Sequence, residues 1–310
     1  MQPFKFILSN NGTVTGMHSI PSKSVRTIEY CPLIIGLHGG SYDSQYFDAT
    51  PEVSASLASV AFGVPFIAID RPCYGETSSL LPIPKDSDFP QETGRWLHHH
   101  ILPKLWSEVG IPNRCNCIVL LCHSLGVMGG IVAAALHAQD KTPLYPLGGL
   151  IASGMGNTST SFVKTSSTPS FVTVDANHIM FPVDVKGKIM FKPGTVSSEV
   201  LEQSERLNVI SPLPEVAEYA TDWLPVWKQK WAAHVTTPVM FSLVDDDPFF
   251  KSTQQEIDTC VRAFKNSTRV DGSLVKGAPH CMELSFWSQG WYARCFGFAM
   301  ECACTFNNSR

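Results

Sequence analysis

Short runs made almost wholly of apolar residues recur along this chain, separated by longer stretches of mixed polarity at helical spacing. Pro32-Leu-Ile-Ile-Gly-Leu37, Pro65-Phe-Ile-Ala-Ile-Asp70 and Cys117-Ile-Val-Leu-Leu-Cys122 are the first three. Gly149-Leu-Ile-Ala152, Thr237-Pro-Val-Met-Phe-Ser-Leu-Val244 and a run near 268–275 continue the series. Apolar runs of this length that lack polar alternation predict strands covered on both faces, as in a parallel sheet. Between them the spacing predicts helices over about 48–60, 93–109, 127–138 and 253–264, and from about 285 onward. Strands alternating with helices define an α/β class: a mostly parallel, doubly wound sheet joined by right-handed crossovers.

One stretch imitates a different class. From Cys115 to Gln139 there is no Asp, Glu, Lys or Arg, and a membrane span needs about 20 apolar residues. Polar His123-Ser124 and then Gly126 interrupt the stretch. It therefore reads as buried strand, sharp turn and compact Ala-rich helix, with Gly129-Gly130 letting the helix lie close to the sheet.

In open parallel sheets the reactive site lies at the carboxyl ends of the strands. Four groups stand there: His38-Gly39-Gly40, Ser124, Asp247 and His280. Cys122-His-Ser124-Leu-Gly126 lies between a buried strand and its helix and resembles the nucleophile elbow Gly-x-Ser-x-Gly, with Cys122 in place of the first glycine. A serine nucleophile needs a base and an orienting acid, in the chain order Ser, acid, His. His280 is the only histidine after His234, just past the last predicted strand. For the acid, Asp245, Asp246 and Asp247 all stand at one strand end, and the position just before Pro248 favours Asp247. The strand at Leu150 ends in Ser153-Gly-Met155 and offers no carboxylate.

With these motifs the chain resembles the α/β-hydrolase fold superfamily over roughly 30–153 and 236–305. The resemblance implies an oxyanion loop at His38-Gly39-Gly40 and backbone donors at Gly40 and Leu125. It also implies that Asp70-Arg-Pro-Cys-Tyr-Gly75 is the loop after the next strand. Gly39 and His123, beside Ser124, are candidate substrate-binding residues. His38 is expected to be a structural loop histidine. A weaker resemblance, to hydrolases of fungal natural-product pathways, points to secondary metabolism.

The segment 154–235 departs from the alternation after the strand at Gly149-Leu-Ile-Ala152, the sixth in the family's order, and the resemblance implies that it forms a helical cap, with 1–153 and 236–310 as the core. It opens with a Ser/Thr-rich run, 157–170, read as a surface loop. Trp223, Trp227 and Trp231 are spaced i, i+4, i+8, which predicts one helical face. Trp223 and Trp227 are candidate substrate contacts, although such a stripe more commonly packs a cap on its core. An apolar roof implies a medium-sized hydrophobic organic substrate.

Composition narrows the rest. The 310 residues are 44% hydrophobic and 16% charged, with a net charge of −4. That is too apolar for a disordered chain and too acidic for a nucleic-acid or anionic-membrane partner. Ten cysteines are too few for a disulfide scaffold and read as reduced, buried residues. No signal-like segment is legible at the amino end, so a cytoplasmic location is expected. His98-His99-His100 does not form a metal site, because adjacent helical residues point ~100° apart. No phosphate-loop or dinucleotide fingerprint is present, so no cofactor is implied. Three functions compete. The first is a cofactor-independent serine hydrolase of esters, thioesters or related carbonyls. The second uses the same site for C–C cleavage, cyclisation or lyase chemistry on a polyketide-like substrate, and the third is a small-molecule binding protein.

Overall fold

The computed structural model of the protein describes residues 1–22, 29–160 and 171–308. The apolar runs form the centre of an eight-stranded sheet in the order β1-β2-β4-β3-β5-β6-β10-β11. Six strands are parallel to one another: β3 (Pro32–Leu37), β4 (Phe66–Ile69), β5 (Cys117–His123), β6 (Leu147–Ser153), β10 (Val239–Val244) and β11 (Val270–Val275). Every residue of the first five is buried, as unbroken apolar runs require. At the opposite edge β1 (Gln2–Ile7) and β2 (Thr13–Ser19) add antiparallel. This pair lies outside the span of the sequence resemblance. β1, half exposed and carrying Lys5, and β2, with polar Thr13, Thr15, His18 and Ser19, lack the apolar signature of the central strands.

The helices shift at their ends for local reasons. The helix expected over 48–60 is shorter: α1 spans Ala55–Phe62, with Ser54 as N-cap and Pro51 ahead of it. The next starts earlier than expected, with α2 (Phe89–Trp96) capped by Asp88 and carrying Pro90 in its first turn. Helical turns continue through α3 (Leu102–Leu105) to Gly110. The Ala-rich helix is α4 (Gly126–Gln139). Its paired glycines serve two neighbours. A Cβ at Gly129 would come within 2.6 Å of Thr93 on α2, and one at Gly130 within 2.4 Å of Cys122 Sγ on β5.

Segment 154–235 contains more than helices. It holds a small antiparallel sheet of β7 (Val172–Thr173), β8 (His178–Met180) and β9 (Ser211–Pro212). Around it lie α5 (Val183–Met190), α6 (Ser198–Leu201), α7 (Leu213–Glu218) and α8 (Trp227–Lys230). Most of the Ser/Thr-rich run, 161–170, lies outside the described residues. The tryptophans do not share one continuous helix. Helical turns through Trp223 give way to turns over 224–226, at Pro225, before α8 begins at Trp227. The core closes with α9 (Gln254–Val261) and α10 (Ser288–Asn308). No helix among the described residues is long and apolar enough to cross a membrane.

A buried ion pair pins this segment to the sheet. Arg71, in the loop after β4, donates from both terminal nitrogens to the carboxylate of Glu215 on α7, and the Tyr74 hydroxyl donates to the same carboxylate. Arg71 and Glu215 are each 1% exposed. Removing one partner of such a pair strands the other charge in a dry interior. Glu215→Ala is therefore expected to lower unfolding stability by about 3–5 kcal/mol. The double replacement Arg71→Met/Glu215→Leu should recover most of that loss. Urea melts of the wild type, the single and the double variant check this, and equal losses in the latter two would contradict it.

Candidate active site

The chain turns sharply where β5 meets α4. Ser124 adopts a left-handed conformation, φ +50°, which places its side chain clear of the sheet at a conformational cost of about 1–2 kcal/mol for a non-glycine residue. Its N–H donates to the Ser153 carbonyl on β6 at 2.8 Å, and its own carbonyl accepts from Val127 on the first turn of α4. The turn admits only small neighbours. A Cβ at Gly126 would lie 2.5 Å from the His38 carbonyl oxygen, and one at Gly39 would lie 3.0 Å from Ser124 Cβ. Cys122, where the motif has glycine, is accommodated because Gly130 clears room for its sulfur.

The three side chains singled out at the strand ends meet. His280 Nε2 lies 3.1 Å from Ser124 Oγ, and its Nδ1 lies 2.7 Å from Asp247 Oδ2. The other Asp247 oxygen accepts from the N–H groups of Phe249 and Phe250 at 2.8 and 3.1 Å. Asp247 and His280 are 4% and 2% exposed. The other two aspartates face elsewhere. Asp245 accepts from Lys192 and from the Gly277 N–H, and Asp246 is exposed. A serine hydroxyl, an imidazole and a carboxylate at these distances can pass a proton from Oγ to Nε2 while the carboxylate holds the ring.

Gly40 and Leu125 flank Ser124 from two loops. A Cβ at Gly40 would strike the Leu125 side chain at 2.6 Å, so glycine there leaves that side chain its place beside the loop. Among the described residues neither N–H donates a hydrogen bond inside the protein. His38 is a loop residue held from both ring nitrogens. Its Nε2 accepts from the Arg71 N–H at 3.1 Å, which leaves the proton on Nδ1, 2.7 Å from the Gly39 carbonyl. Burial, reinforced by the Arg71 charge, holds its pKa well below the ordinary histidine value.

Behind His280 lies a group that sequence reading missed. Glu283 is fully buried and accepts from the Tyr46 hydroxyl at 2.7 Å and from the Trp291 indole N–H at 2.9 Å. Burial pushes its carboxyl pKa up. His123 lies flat on Tyr46, with ring centroids 5.2 Å apart, and its Nδ1 is 3.5 Å from the Glu283 carboxylate. Its ring centre is 5.0 Å from that of His280. Burial drives the His123 pKa well down, with the neighbouring His280 contributing in the same direction. An acidic residue set between Met282 and Leu284 was the available signal.

The candidate tryptophan contacts lie against different neighbours. Trp223 and Trp227 stack at 6.2 Å, Trp227 stands 6.1 Å from Phe264, and its indole N–H donates to Asn157 Oδ1. Among the described residues no hydrogen bond or ring pairing joins either indole to Ser124, Asp247 or His280. Trp227→Ala is accordingly expected to cost about 3–5 kcal/mol of stability, with the substrate preference of the folded protein unchanged. Denaturant melts and a panel of esters read the two effects separately, and a changed ester ranking at full stability would refute the expectation.

Comparison with known proteins agrees with this architecture. Among curated proteins no sequence matches the chain. Solved structures do. A thermophilic esterase from Thermogutta terrifontis superposes with a TM-score of 0.57 at 15% identity, covering 98% of this chain and 100% of that one. A monoglyceride lipase from Saccharomyces cerevisiae gives 0.61 at 15%, covering 99% and 94%. The thioesterase domain from the curacin biosynthetic pathway gives 0.55 at 12%, covering 97% and 99%. At such identities the likeness is one of fold. The family model described as the alpha/beta hydrolase family matches residues 34–291, a span that begins in β3 and runs into α10. The chain belongs to the alpha/beta hydrolase family.

Proposed function

We propose that this protein is a serine hydrolase that cleaves a carboxylic ester or thioester of a medium-sized hydrophobic organic molecule without a cofactor. The observation that carries the reading is His280, within reach of Ser124 Oγ on one side and Asp247 on the other. Ser124 Oγ attacks the carbonyl carbon while His280 Nε2 takes its proton. Charge developing on the carbonyl oxygen is met by the N–H groups of Gly40 and Leu125. Collapse breaks the bond to the leaving oxygen or sulfur, which receives the proton from His280. Water, deprotonated by the same imidazole, then releases the acid and restores Ser124.

Segment 154–235 is proposed as the cap above the carboxyl end of the sheet. The Arg71–Glu215 pair and the buried apolar residues Phe181 and Met190 support this placement. An apolar cap favours hydrophobic acyl groups and keeps bulk water from the oxyanion donors. Natural-product thioesters are included among the substrates to test. The experiment is labelling by a fluorophosphonate probe, with mass mapping of the modified residue. Turnover of p-nitrophenyl esters of graded chain length and of N-acetylcysteamine thioesters is measured alongside. Probe attached to Ser124 together with hydrolysis is the expected result. A folded protein that neither labels nor hydrolyses any of them would favour the binding-protein alternative.

A further inference from the structure

Gly39 and Gly40 are two consecutive residues with wide conformational freedom, and such residues lose the most entropy when fixed. Something must hold the Gly40 N–H in place. The next residue, Ser41, is left-handed at φ +61° although it is not glycine. All of its polar groups end on segment 154–235. Its N–H donates to Ser211 Oγ at 2.8 Å, and its hydroxyl lies 2.9 Å from the same oxygen. Its carbonyl accepts from the Val209 N–H at 3.1 Å and from Lys186 Nζ.

Lys186 is an unusual choice for that carbonyl. It is 4% exposed and, among the described residues, has no carboxylate within ion-pairing distance, Asp43 acting on it only from farther away. Its Nζ donates also to the Leu207 carbonyl at 2.7 Å and stands 3.5 Å above the Tyr42 ring. Burial lowers its pKa to about 7. Burying an ammonium without a carboxylate paired to it is expensive. What Lys186 supplies is a donor that spans two carbonyls, one in the oxyanion loop and one in segment 154–235. An amine keeps two N–H donors in either protonation state, so this bridge survives loss of the charge.

We propose that Lys186 and Ser211 are positioning residues that hold Ser41 in its left-handed conformation and so aim the Gly40 N–H at the oxyanion. Segment 154–235 then completes the oxyanion hole as well as roofing it, and docking of that segment and catalytic competence are one event. The inference rests on Ser124 being the nucleophile. Fixing the Gly40–Ser41 peptide from its N–H side sets the Gly40 backbone one bond from the donor itself. A donor misplaced by about 1 Å can cost up to 10²-fold in rate.

The test compares wild type, Lys186→Met and Ser211→Ala, each verified as folded by circular dichroism. Two rates are read: fluorophosphonate labelling and kcat for p-nitrophenyl butyrate. Both are expected to fall about 10- to 100-fold in each variant, with KM little changed. Inhibition by a boronic acid, which mimics the tetrahedral state, should weaken by a similar factor. A structural role alone would lower the melting temperature and leave these quantities at wild-type values in the folded variants, which would overturn the proposal. Should Lys186→Met fail to fold, Ser211→Ala, which lacks a single oxygen, decides by the same criteria. Wild-type protein unlabelled at Ser124 would sink the hydrolase reading and this one with it. Labelled wild type with equally reactive variants would sink only this one.

Discussion

Ser124→Ala is expected to fold like the wild type and to lose about 10⁶ in kcat, the usual consequence of removing a nucleophile or base from such a triad. Folding should be spared because alanine accepts the left-handed backbone at φ +50° no worse than serine does. The main-chain bonds that hold the turn, to Ser153 and Val127, do not involve the hydroxyl. What disappears is the oxygen 3.1 Å from His280 Nε2. No other hydroxyl, thiol or carboxylate is bonded to that nitrogen among the described residues, so no side chain stands ready to replace it. Ester turnover measured beside thermal melts checks both halves of the statement. A well-folded variant with near-normal kcat would eliminate serine nucleophilic catalysis, and with it the proposed function.

How much of this was legible beforehand depended on whether the signal was local. The central strands were legible because burial on both faces leaves an uninterrupted apolar run, and β3 and β5 lie within a residue of where those runs fall. Ser124 was singled out because a strand end followed by a small-residue turn is written in consecutive residues, and Asp247 and His280 because they follow later strands in the chain order Ser, acid, His. That they stand within hydrogen-bond reach of one another is a fact of geometry. β1 and β2 carry no such run, and their place in the sheet depends on the pairing of β2 with β4. Arg71 and Glu215 are 144 residues apart, and nothing in either local sequence marks its partner. Lys186 left a fainter trace. Val183, Lys186 and Met190 follow an i, i+3, i+7 pattern, so the lysine falls on the apolar face of α5. A cation on that face signals a buried partner without saying which carbonyl it meets. The tryptophan stripe was misleading in the opposite sense. Its period was right for one helix, but Pro225 within it ends the first helical stretch.

Asp247→Asn is expected to lower kcat by about 10⁴, the size of effect seen when a triad histidine is held in the wrong tautomer. The direction follows from the hydrogen bonds around the carboxylate. Asp247 Oδ1 faces two N–H donors, from Phe249 and Phe250. An asparagine must keep its carbonyl oxygen toward those donors, because its amide group there would oppose N–H to N–H. Its NH₂ is then turned toward His280 Nδ1, 2.7 Å from the position of the original Oδ2. That nitrogen must now accept, so the ring proton moves to Nε2 and faces Ser124 Oγ, where a proton acceptor is required. The imidazole stays in place and is chemically reversed. Phosphonylation of Ser124 should slow by a comparable factor, since it needs the same proton transfer. Asp246→Asn is the control: the residue is exposed and left-handed at φ +52°, a conformation that asparagine tolerates, and its kcat should match wild type. If Asp247→Asn instead retained kcat within about tenfold, the orienting acid would have to be sought elsewhere, first at Asp245, whose side chain reaches the Gly277 N–H in the loop that carries His280.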